Sequence, residues 1–258
     1  MPSLADHHSA SFVKLMYIGD SGTGKTGSLD SLLADGYRLY ILDLDNGLDA
    51  LVQQARLHQR DLSLVNYETV RDSYKMVGTQ LKATPKAFVA SMKLLTKWSD
   101  DSVPAEWGDK TVFVLDSLSA LGKSAFAWAE SINPSARDPR QWYFQAQQAL
   151  ENLISMLTSE EFRTNVIIIS HVNYRELPNG LTRGYANSIG SALGPTIPKY
   201  FNSMVMAESV GSGANVQRRI KTVPTGIVDL KTPIPFRLDK ELPLETGMST
   251  IFQMLKDS

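Results

Sequence analysis

The sequence contains no cysteine, which excludes disulfides and thiolate metal sites and leans towards a reducing compartment. No apolar run approaches the roughly 18 residues that a membrane helix needs. The opening stretch MPSLADHHSASF lacks the basic segment and apolar core of a secretory signal. These absences predict a cytoplasmic location and no membrane partner. Formal net charge is only −1, without the positive excess that many nucleic-acid binders carry. Contact with nucleic acid would therefore rest on local patches. Internal repeats and low-complexity segments are also lacking. What remains is a globular composition, 43% hydrophobic over 258 residues, enough for one large domain.

Apolar strand patterns alternate with helical ones. "FVKLMYI" reads as the first strand, and a helix over residues 25–34 should stop near Gly36. "YRLYILDLD" reads as a buried strand, "GLDALVQQARLHQ" as a helix and "LSLVNY" as a third strand. "PKAFVASMKLLTKW" sets Phe88, Met92 and Leu95 on one helical face, a core stripe. "TVFVLDSLSAL" ends its apolar run at Asp116. "QWYFQAQQALENLISML" is a long amphipathic helix, and "TNVIIIS" is another apolar strand that reaches His171. This alternation predicts an α/β fold with a mainly parallel sheet flanked by helices. Beyond Phe201, "NSMVMAES", "NVQRRIKTV" and "TGIVDLKT" predict an antiparallel β extension, and "GMSTIFQML" a closing helix. The expected organisation is one domain over 1–258, with a core at about 12–208 and a β-rich extension at about 209–258.

The chemistry concentrates at Gly19, Asp20, Ser21, Gly22, Thr23, Gly24, Lys25 and Thr26. They match G-x-x-x-x-G-K-[ST], a loop whose amides point at phosphate oxygens. Lys25 supplies a point charge for the β- and γ-phosphates, and the Thr26 hydroxyl can ligate Mg²⁺. ATP and Mg²⁺ are the expected cofactors. Asp116 would hold the metal through water from the end of a strand adjacent to the loop strand; the alternative is that it caps the next helix. Ser117, not a water-activating glutamate, follows it. Asp43 and Asp45 lie two apart and would share one face of an extended strand. Asp45, nearer the strand exit, is the candidate for orienting the attacking water; helix capping is again the alternative.

The order of phosphate loop, "LDLDNGLDAL", "VFVLDS" and "NVIIISH" resembles the RecA-like P-loop ATPase core. It is most similar to small phage-encoded RecA-like ATPases of single-strand annealing and recombination, which would place it in a host cytoplasm. The resemblance covers most of residues 12–231. It implies an ATPase, with Asp45 in the place of a catalytic glutamate, one methylene shorter, and Asp49 near the adenine. His171 would sense the γ-phosphate. Two loops would face single-stranded DNA: "SINPSARDPRQWYF", with Arg137, Arg140, Trp142 and Tyr143, and "VNYRELPNGLTRGYANSIGSALG", with Tyr174, Arg175, Arg183 and Tyr185. A cation of the 215–233 region would reach the γ-phosphate of a neighbouring subunit in a ring or filament. Pro224 and Gly226 stand where RecA has its lysine pair, so Lys231 is the first substitute and Arg219 the second. A non-hydrolysing ATP switch or loader is the alternative function, and a nucleotide or small-molecule kinase a more distant one.

Overall fold

Leu15 and Tyr17 pack into one apolar layer, while Met16 and Ile18 pack into another, and all four are fully buried. Strict alternation on an apolar strand means that helices cover both sides of the sheet. A computed structural model shows this arrangement and describes residues 11–257.

In chain order the elements begin with β1 (Lys14–Gly19), α1 (Asp30–Ala34), β2 (Arg38–Asp43), α2 (Asp49–Leu57) and β3 (Val65–Thr69). A hairpin of β4 (Ser73–Val77) and β5 (Gln80–Thr84) follows, then α3 (Ala87–Thr96), β6 (Gly108–Asp116), α4 (Leu118–Ile132) and α5 (Arg140–Thr158). The remaining elements are β7 (Thr164–Ser170), β8 (Val172–Glu176), β9 (Thr182–Ala186), α6 (Leu193–Thr196), β10 (Ser203–Val210), β11 (Gln217–Lys221), β12 (Glu241–Pro243) and α7 (Leu244–Lys256).

The main sheet has eight strands in the order β12-β11-β10-β1-β7-β6-β2-β3. From β10 to β3 all neighbours are parallel; β11 and β12 are added antiparallel. The fold is thus α/β, mainly parallel, with antiparallel strands on the C-terminal side. One face buries residues of α3, α4 and α5, such as Phe88, Leu121 and Leu153. The other buries α1, α2 and α7 through Leu32, Leu51 and Phe252. Among the described residues no helix is long and apolar enough to cross a membrane.

Several expectations need correction. Asp116 does not sit on a strand adjacent to the loop strand, because β7 pairs with both β1 and β6 and lies between them. The second predicted DNA loop is largely the β8–β9 hairpin, whose short alternation a loop-rich reading hides. "TGIVDLKT" forms isolated bridges, Gly184 to Val228 and Met204 to Lys231, and not a strand. The predicted helix over 25–34 is split: a 3-10 turn spans Gly27–Leu29 and α1 begins at Asp30. The hydroxyls of Ser28 and Ser31 donate to the carbonyls three residues earlier, at 2.8 and 2.9 Å. Such local bonds compete with regular helical pairing.

Candidate nucleotide-binding site

The phosphate loop leaves β1 at Gly19 and turns into the 3-10 segment. Gly24 has φ +88°, and a Cβ placed there would lie 2.5 Å from Leu244 Cδ2 of α7. The positive φ favours glycine, and any Cβ would have to displace the Leu244 side chain. The Ser28 N–H donates to the Gly24 carbonyl at 2.9 Å and closes the first turn after the loop. Lys25 Nζ donates to the carbonyls of Gly19 (2.9 Å) and Asp20 (2.8 Å). Burial pushes its ammonium below the usual lysine range, opposed by the charges of Asp116, Asp20 and Asp45.

The Thr26 hydroxyl donates to Asp116 Oδ2 at 2.6 Å. Asp116 is 4% exposed, and burial pushes its carboxyl up to about 6, assisted by the negative charges of Asp45 and Asp43 and opposed by the Thr26 hydrogen bond. Asp116 does not cap α4. That role falls to Ser117, whose hydroxyl accepts from the Ala120 N–H at 3.3 Å and donates to Asp45 Oδ2 at 2.6 Å. Sequence reasoning noted Ser117 only as a missing glutamate. A serine at the start of an apolar helix was the available signal.

Asp43 and Asp45 do not share a role or a face. β2 ends at Asp43, and the chain bends through residues 44–45. Asp43 is buried and accepts from the N–H groups of Asn46 (2.8 Å) and Gly47 (3.3 Å) and from the Thr69 hydroxyl (3.0 Å). It staples the turn after β2. Asp45 opens into the cleft, where His171 Nε2 lies 4.0 Å from its Oδ2. Burial, then the Lys25 charge, holds the His171 imidazole below its usual range. The backbone N–H of His171 donates to Ser119 Oγ at 3.0 Å, tying the end of β7 to α4.

Lys25, Thr26, Asp45, Asp116 and His171 line one cleft of about 1050 Å³, sized for a nucleotide. Its other walls come from Ala50, Gln53 and Gln54 of α2 and from the segments around Arg218 and Leu244. Asp49 starts α2, is exposed and lies outside the lining. Arg219 borders this cleft of its own chain, but its guanidinium is taken up by Glu208 (2.9 Å) and Glu241 (2.5 Å). Lys231 is exposed and bridges to Met204, near the start of β10 and away from the loop end of the sheet.

The other predicted contacts scatter. Arg137 is exposed between α4 and α5. Arg140 pairs with Asp138 at 2.6 Å. Trp142 packs on Phe126 and donates to the Asn133 carbonyl at 2.8 Å. Arg175 donates to the carbonyls of Ser191 (2.6 Å) and Gly190 (3.0 Å) and stacks on Tyr185. Arg183 pairs with Asp229. The Tyr174 hydroxyl reaches Asp20 Oδ2 at 3.3 Å, joining the hairpin to the phosphate loop.

Thr26 and Asp116 fit Mg²⁺, since a hydroxyl and a carboxylate converge as hard oxygen donors. Among the described residues no group of three or more His, Cys, Asp or Glu could hold a metal. A cation here would take its remaining ligands from water and phosphate oxygens.

The sequence model of the AAA domain family matches residues 11–233. This chain belongs to the AAA domain family. Three solved structures are similar in shape. A KaiC-like protein from Pyrococcus horikoshii is 13% identical, with 90% of this chain and 85% of that one covered at a TM-score of 0.46. RadB recombinase is 15% identical, with 92% and 90% covered at 0.49. The flagellar accessory protein FlaH from Methanocaldococcus jannaschii is 13% identical, with 92% and 88% covered at 0.44. At that level they carry no argument about this chain. No curated protein matches the sequence. For an AAA domain, the cleft's loop and acids point to ATP binding and hydrolysis.

Proposed function

We propose that this AAA domain is a Mg²⁺-dependent ATPase whose nucleotide state is coupled to single-stranded DNA in phage-type recombination or replication. The observation that carries the enzymatic reading is the convergence of Lys25, Thr26, Asp45, Asp116 and His171 on one cleft, from separate segments of the chain. The loop amides and Lys25 bind the β- and γ-phosphates. Thr26 and Asp116 would hold Mg²⁺, which would supply charge neutralisation for phosphoryl transfer. Asp45, oriented by Ser117, positions the attacking water. His171 faces the same carboxylate and reads the γ-phosphate.

Coupling to DNA is supported by chain continuity. The β8–β9 hairpin begins directly after His171, and its Tyr174 touches Asp20 of the phosphate loop. A change in the loop therefore has a physical route to Arg175, Arg183 and Tyr185. Both arginines have partners within the chain, so gripping a DNA phosphate exchanges one set of bonds for another. Exposed Arg137, Tyr143 and Phe144 supply cationic and stacking groups at a second position. Lys231, free of an ion pair among the described residues, would serve a neighbouring subunit in a ring or filament.

Steady-state ATP hydrolysis with Mg²⁺, with and without single-stranded DNA, tests the proposal against Lys25→Ala as the blank. DNA-stimulated turnover that is absent in the blank is the expected result. ATP binding without turnover would overturn the enzyme reading and favour a non-hydrolysing switch. One observation favours that second reading: Asp45 is short, and its Oδ2 is already engaged by Ser117.

A further inference from the structure

β11 carries Arg218, Arg219 and Lys221, and strand geometry sorts them. Arg219 and Lys221 fall on one face, with Glu208 and Glu241 between them; Lys221 Nζ is 2.8 Å from Glu208. Arg218 falls on the other face, the one that carries Ile220 into the layer packed by α7. Among the described residues Arg218 has no carboxylate partner, whereas its two neighbours on β11 are paired.

The register decides where this unpaired cation lies. Gly19 pairs with Ala207 of β10, and Ala207 pairs with Ile220 of β11. Arg218, opposite Ser209, is two residues further along, beyond the end of β1 and level with the phosphate loop. Its side chain comes to that loop: a Cβ on Gly24 would lie 3.4 Å from Arg218 Cδ. Arg218 is exposed and lines the same cleft as Lys25 and Thr26.

We infer that Arg218 is a phosphate ligand supplied in cis, closing the nucleotide tail against the phosphate loop of its own chain. The inference rests on the nucleotide-binding reading above and adds a residue to it. A guanidinium presents a planar fork suited to two phosphate oxygens, and it stays charged at any working pH. Its position opposite Gly24 would clamp the tail between β11 and the loop.

Two binding experiments test this, using a fluorescent ATP analogue and the full chain. Arg218→Ala removes an exposed side chain, so thermal unfolding without nucleotide should match the parent protein. Its affinity should fall about tenfold or more, the size of one charge-assisted contact, with partial recovery in Arg218→Lys. Parent-like affinity in Arg218→Ala would overturn the inference while leaving nucleotide binding intact. Failure of the parent protein to bind would overturn both. Arg218→Ala is then mixed with an excess of Lys25→Ala, whose Arg218 is intact. Unchanged weak binding supports a cis donor, whereas restored affinity would show that Arg218 serves a neighbour and would overturn the cis assignment.

Discussion

Nε2 of His171 lies 4.0 Å from Oδ2 of Asp45, and that same oxygen accepts the Ser117 hydroxyl at 2.6 Å. Strand ends β2, β6 and β7 thus meet at one carboxylate. Burial, then the Lys25 charge, holds the imidazole below its usual range, which favours the neutral ring that both donates and accepts a hydrogen bond.

Asp45→Asn should therefore separate binding from turnover. Hydrolysis should fall by about 10²–10⁴, the usual contribution of a positioned base, with ATP affinity changed by no more than about twofold. Single-turnover hydrolysis beside equilibrium binding makes the comparison. Turnover preserved in Asp45→Asn would remove Asp45 from the chemistry.

Asp116 should cost the nucleotide-free protein stability. Burial raises its carboxyl from 3.8 to about 6. Between those values the folded protein binds a proton that the unfolded chain releases. Stability therefore falls as pH rises through this window, and the cost persists above it, at about 3 kcal/mol by linkage. In Mg²⁺- and nucleotide-free buffer at pH 8, Asp116→Asn should be more stable than the parent, and its stability should vary less between pH 4 and 6. Denaturant titrations at several pH values would show this; a destabilised variant at pH 8 would contradict it.

Lys14 secures the opposite end of β1. Its Nζ donates to the carbonyls of Leu157 (2.9 Å), Phe162 (2.6 Å) and Thr164 (2.9 Å) and lies over the Phe162 ring. Lys14→Met keeps the stem but strips three acceptors of their donor. A loss of about 2–4 kcal/mol is expected, since each unmet acceptor costs about 1–3 kcal/mol when buried and less where water enters. Chemical denaturation measures it, and a loss below about 0.5 kcal/mol would show that water replaces the ammonium freely.

Gly122 tests how closely α4 packs on the segment after β9. A Cβ there would lie 2.8 Å from the Ser188 carbonyl oxygen. Alanine would gain about 1 kcal/mol in helix propensity, while a backbone clash costs about 1–3 kcal/mol. The clash should win, and Gly122→Ala should lower Tm. A higher Tm would mean that the Ser188 segment yields without cost.

The strands β1, β2, β6 and β7 were legible because each is an almost continuous apolar run, and burial on both faces demands that composition. The stripe of Phe88, Met92 and Leu95 was legible for the same kind of reason, as α3 packs those residues on the core. The hairpins β4–β5 and β8–β9 were not. The β4–β5 strands are short and mostly exposed, and in β8–β9 the buried positions are small, Gly184 and Ala186, so neither hairpin has a run of large apolar residues to mark its period. α4 was also missed, because its apolar start continues the run of β6 and only Ser117 separates them.

The sequence by itself determined the phosphate loop. Its glycines, Lys25 and Thr26 act within a single turn of chain, and local backbone geometry needs nothing more. It also determined the α/β class, through the alternation of apolar strands with helices. Tertiary structure alone decided which distant groups meet that loop. Thr26 finds Asp116 across an intervening strand, Asp43 turns inward while Asp45 turns to the cleft, and Arg218 arrives beside Gly24. Those pairings follow from strand order and register, which depend on how whole layers pack and leave no mark on a short stretch of residues.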